Sequence, residues 1–81
     1  MTQEELIGRL QNIFQKIFDD DELVISDEMT ADDVEEWDSL SHIQLIVAVE
    51  KEFSVKFQMA EVMKLKNVGE FIRLIEIKTQ M

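Results

Sequence analysis

Ser39 and His42 are the pair whose types could do chemistry together. Spaced three apart, they stand one turn from each other on a helix, which would bring a hydroxyl nucleophile near an imidazole base. Their surroundings argue against hydrolysis. There is no Gly-x-Ser-x-Gly turn to lift the serine out of the backbone, and helical winding directs His42 toward apolar neighbours with no acid placed to orient it. Such a histidine reads as structural, or as part of the lining around a bound apolar group. Cation binding is the other chemistry to weigh, because Asp19 to Asp38 holds 11 of the 18 acidic residues and no Lys or Arg. An EF-hand loop starting at Asp19 needs Gly where Val24 stands and Glu where Thr30 stands, so it fails, leaving only diffuse divalent binding or a solvated face.

Cysteine is absent, which excludes disulfides, thiolate metal sites and cysteine nucleophiles. Any thiol chemistry must come from outside the polypeptide. The net charge of −10 disfavours nucleic acid and anionic membrane surfaces as partners and favours basic patches on proteins. Without a run of about 18 apolar residues or a basic-then-apolar leader, the chain is expected to be cytoplasmic and not inserted in a membrane.

The elements that must position these residues are helical. At 81 residues the chain is one small domain, and 46% hydrophobic content is enough for a core. Proline is absent and Gly occurs only at Gly8 and Gly69. Leu6, Ile7, Leu10, Ile13, Phe14, Ile17 and Phe18 recur at spacings of three and four, predicting a helix from Glu4 to about Phe18. The acidic stretch that follows lacks a sustained period and predicts a long loop with one short helical turn, a length usually associated with function. A second helix is predicted from Asp38 or Ser39 to about Phe53, a third around Met59 to Met63, and a fourth opening at Asn67, three positions before Glu70. Trp37 and the five methionines read as packing residues. The expected fold class is an all-α, four-helix bundle with a long first loop and a short third helix.

The second helix has two apolar faces. Winding at about 100° per residue puts His42, Leu45, Ile46, Val49 and Phe53 on one side, expected to be core. Leu40, Ile43 and Val47 fall opposite, among Gln44 and Lys51. Periodicity leaves two readings of that second stripe: a docking surface, or a face covered by the chain itself. Ser39 likewise has two readings at this stage. Serine at a helix start is commonly a cap, while the unpaired N–H groups there also suit a phosphate ester on its hydroxyl.

The run Trp37-Asp38-Ser39-Leu40-Ser41-His42-Ile43-Gln44-Leu45-Ile46 resembles the Asp-Ser-Leu segment of acyl carrier proteins, whose serine carries 4′-phosphopantetheine. Leu65-Lys66-Asn67-Val68-Gly69-Glu70-Phe71-Ile72 is similar to the start of the last helix in that family, and the resemblance extends over essentially the whole chain as a single carrier domain, residues 1–81. It implies that a phosphopantetheinyl transferase moves phosphopantetheine from coenzyme A onto Ser39, supplying on a flexible arm the sulfhydryl that the sequence lacks. Ser39 is then an acceptor, and the protein is not an enzyme. The resemblance further implies that Asp38 assists recognition by the transferase, and that Leu40, Ile43 and Val47, with Glu50, meet acyl-loading and acyl-processing enzymes bearing basic docking patches. A monomer is expected.

Ser41 and Gln44 stand where fatty-acid carriers often have acidic residues, and Lys51 interrupts the acidic run beside Glu50 and Glu52. Trp37 and His42 look more like stand-alone carriers of specialised pathways, such as polyketide, modified-malonyl or polysaccharide-related biosynthesis. A peptidyl or aminoacyl carrier is the runner-up, and a non-catalytic acidic adaptor without cofactor is the alternative of a different class.

Overall fold

A computed structural model describes residues 2–34 and 37–79; Met1, Glu35, Glu36, Gln80 and Met81, which belong to the predicted domain span, lie outside the described residues. Helix α1 spans Gln3–Ile17. The Thr2 side chain caps it by accepting from the Glu5 N–H at 3.2 Å, and Glu4 and Glu5 face the positive end of its dipole. Its buried stripe is Leu6, Leu10, Ile13 and Phe14, as the spacing predicts. The helix ends where Asp19 enters the left-handed region at φ 51° and the Asp20 N–H turns back to the Gln15 carbonyl at 3.0 Å.

The acidic connection has one short 3₁₀ turn, Ala31–Asp33, capped by Thr30. Its path is fixed by three kinds of fastening. Ile25 and Met29 bury their side chains in the core. Two glutamines of α1 hold loop backbone: Gln11 Oε1 accepts from the Ile25 N–H at 3.2 Å, and Gln15 Nε2 donates to the Leu23 carbonyl at 2.9 Å. Midway along, at Asp27 and Met29, the loop meets the last helix.

Helix α2 spans Ser39–Phe53 and ends at Ser54, which is left-handed at φ 55°. Helix α3 is the short Met59–Met63, and α4 runs Val68–Thr79. The first amides of a helix lack intrahelical partners, and those of α4 find them elsewhere. Val68 N–H donates to the Met29 carbonyl and Gly69 N–H to the Asp27 carbonyl, each at 2.9 Å, while the Glu70 N–H reaches Asn67 Oδ1 at 2.9 Å. Gly69 suits this close approach, because a Cβ there would lie 3.0 Å from the Asp27 carbonyl oxygen, tighter than ordinary contact.

Phe14, Leu10, Leu45, Val49, Val68, Phe71 and Ile75 form the fully buried centre. They come from α1, α2 and α4, and each contributes about 1.5–3 kcal/mol by leaving water. Helix α3 adds Val62 to the buried set and is tied to α4 by an ion pair, Lys78 Nζ to Glu61 at 2.9 Å. The architecture is the expected all-α four-helix bundle with a long first loop and a short third helix.

Candidate functional site

The start of α2 divides its tasks between adjacent residues. Asp38 is the cap: Oδ1 accepts from the Ser41 N–H at 2.9 Å. That bond, then the Ser41 hydroxyl and the Leu40 N–H, holds the Asp38 carboxyl below the usual carboxylate range. Ser39 is the first helical residue, is exposed, and is not the cap. The reading of Ser39 as merely a helix cap is therefore replaced by Asp38 in that role.

His42 is partly buried, and both its ring nitrogens are engaged. Trp37 Nε1–H can only donate, so Nδ1 of His42 accepts at 3.2 Å. Nε2 then carries the proton and points to the Val62 carbonyl at 3.3 Å, which defines the neutral Nε2–H tautomer. Trp37 in turn packs edge-on against Phe14 with ring centroids 5.3 Å apart and stacks with His42 at 6.1 Å. With both nitrogens committed, His42 has none to take a proton from Ser39, so the arrangement does not support hydrolysis.

The two-faced helix resolves clearly. Leu45, Val49 and Phe53 are buried and His42 and Ile46 partly so, whereas Leu40, Ile43 and Val47 are 66%, 55% and 45% exposed. Among the described residues, none covers this second stripe. Beside that stripe runs an open groove of about 650 Å³. Asp38 and Ser39 are among its lining residues; Ile43, Ile46 and Val47 contribute from α2, Met59, Val62 and Met63 from α3, and Trp37, Phe57, Leu65 and Phe71 complete its apolar lining.

One sequence expectation needs adjustment here. Met29 packs in the core as expected, but Met59 and Met63 are 68% and 73% exposed and line the groove, because a helix of five residues with Val62 buried turns its other side chains outward. Met1 and Met81 lie outside the described residues. Glu50, expected to face partners, is partly buried and lines the groove, and its Oε2 accepts from the Phe57 N–H at 2.9 Å, which holds the connection between α2 and α3. Sequence reasoning also missed the Trp37–His42 bond and the groove walls from Phe57 to Asn67. The only signal for the first was a donor and an acceptor flanking Asp38-Ser39; for the second there was none before α3 was placed.

Among the described residues, no cluster of three or more histidine or carboxylate side chains is arranged to hold a metal, and no helix is long and apolar enough to cross a membrane.

Comparison with known proteins agrees with this geometry. The phosphopantetheine attachment site family matches residues 5–75. The acyl carrier protein of Thermotoga maritima is 30% identical over 77 residues, which is 95% of each chain. The solution structure of the holo acyl carrier protein from Geobacter metallireducens is similar at a TM-score of 0.84 with 44% identity, covering 89% of this chain and 83% of that one. With a family match over most of its length and a four-helix fold shared with a holo carrier, this chain belongs to the acyl carrier protein family: a phosphopantetheine-bearing carrier, not a catalyst.

Proposed function

We propose that Ser39 is the attachment residue, and that the protein, as a single carrier domain over residues 1–81, holds acyl intermediates as thioesters on a 4′-phosphopantetheine arm. The observation that carries this reading is the exposed Ser39 beside the Asp38 cap and on the apolar groove. The residues fit the group. Esterifying the Ser39 hydroxyl breaks no cap, the positive end of the α2 dipole suits a phosphodiester, and the groove suits an apolar cargo. When attached, the arm supplies the sulfhydryl that the cysteine-free chain lacks.

The chain's own residues position and present the arm. Asp38 fixes the first turn from which Ser39 projects and offers a carboxylate to the transferase. The exposed stripe of Leu40, Ile43 and Val47 supplies apolar contact to loading and processing enzymes, and the acidic loop steers their basic patches. Glu50 borders this face while holding Phe57. The proposed setting is cytoplasmic and the pathway a specialised one, a reading supported by neutral Ser41 and Gln44 and by the Trp37 and His42 pair. The apolar groove favours an acyl over an aminoacyl cargo.

Coexpression with a broad-specificity phosphopantetheinyl transferase, read by intact mass, tests the assignment. One phosphopantetheine is expected on the wild type and none on Ser39→Ala. An unmodified wild type, or a modified Ser39→Ala, overturns it.

A further inference from the structure

Methionine is ordinarily a core residue, yet Met59 and Met63 are 68% and 73% exposed. They are four apart on α3, so they share one side of that helix, and both line the groove. Each therefore presents a thioether to solvent and an apolar surface to whatever occupies the groove. Met29 differs sharply, being buried in the core at 7% exposure.

Oxidation follows access to the sulfur, and its product has the opposite polarity to its precursor. We propose that Met59 and Met63 are a reversible oxidation site that regulates the groove: peroxide converts the two thioethers to sulfoxides and weakens the hold on an apolar occupant. In each step the sulfur takes one oxygen atom from the peroxide. The O–O bond breaks, a sulfur–oxygen bond forms, sulfur loses two electrons, and hydrogen peroxide leaves as water. Two strongly polar S=O groups then stand at the groove wall where unmodified side chains gave apolar contact. Val62 stays buried between them in sequence and keeps α3 seated, so the change acts on groove polarity with the bundle intact. Methionine sulfoxide reductases reverse the reaction with thiol reductant.

The physiological meaning rests on the groove being the seat of the carried group, but the oxidation and its effect on the groove do not require Ser39 to be modified. The test therefore uses Ser39→Ala protein beside wild type. Trypsin cutting after Lys56 and Lys64 releases residues 57–64, which contain Met59 and Met63 and no other methionine, while Met29 falls in the fragment 17–51. Under graded hydrogen peroxide, fragment 57–64 should gain two oxygen atoms before fragment 17–51 gains one. Affinity for the neutral apolar dye N-phenyl-1-naphthylamine should fall about ten-fold in both proteins. The double variant Met59→Leu/Met63→Leu should keep its dye affinity through the same treatment, and reductase treatment should restore the oxidised protein. Oxidation of Met29 first, unchanged dye affinity after both rim sulfurs are oxidised, or an equal loss in the leucine variant overturns the proposal. Failure of Ser39 modification would leave all these outcomes readable.

Discussion

Trp37 donates its indole N–H to His42 Nδ1 at 3.2 Å, and the same imidazole reaches the Val62 carbonyl with its other nitrogen. One ring thus joins the end of the acidic loop, α2 and α3. Replacing it with alanine leaves the indole N–H and the Val62 carbonyl without their partner. His42→Ala should lower stability by about 2 kcal/mol, measured by urea denaturation, and alter Trp37 fluorescence in the folded state. Unchanged stability and emission would show that the ring ties nothing together.

The two glycines should respond with opposite signs. Gly8 is an exposed position inside α1 with nothing within 4 Å of the place a methyl would take, so Gly8→Ala should stabilise by about 0.5–1 kcal/mol. Gly69→Ala would press a methyl against the Asp27 carbonyl at 3.0 Å and its Cβ at 3.2 Å. It should destabilise by about 2 kcal/mol despite the better helix propensity, with faster hydrogen exchange at the Val68 and Gly69 amides.

The Asp38 carboxyl titrates below its ordinary value because the Ser41 N–H, foremost, stabilises its charged form. Its contribution to stability is therefore complete above the unfolded value of about 4 and is lost as pH falls through the lower folded value. Asparagine can cap a helix but does not titrate. Melting temperatures across the acid range should show a shallower acid decline for Asp38→Asn than for wild type; parallel curves would remove Asp38 from the acid response.

Val47 and Val49 lie two residues apart on opposite sides of α2. Val47→Glu should change stability by no more than about 0.5 kcal/mol and weaken engagement with a partner enzyme, read as an affinity loss for the transferase or a loading enzyme. Val49→Glu buries a charge and should cost more than about 3 kcal/mol, read by urea denaturation. Similar losses of stability in both variants would mean that the outer stripe is part of the core.

The helices were legible because their signals are local. Spacing of apolar residues located α1, and the caps Asp38 and Asn67 marked where α2 and α4 begin. The resemblance pointed to Ser39 before any geometry was known. Periodicity could say that Leu40, Ile43 and Val47 share a side but not whether anything lies over it, since that depends on where α3 packs. The loop's course was hidden for a similar reason. Gln11 and Gln15 look like ordinary polar positions of α1, and only the fold brings the Ile25 and Leu23 backbone to them. The groove mouth was missed because methionine composition suggested interior packing, whereas a five-residue helix can bury only part of its surface.

Since a carboxylate, and not the neighbouring hydroxyl, closes the first turn of α2, adding or removing an ester on that hydroxyl leaves the scaffold's own bonds untouched. On the proposed attachment at Ser39, loaded and empty forms of the carrier therefore keep the same Asp38 cap, and the bundle presents one scaffold to every enzyme it meets.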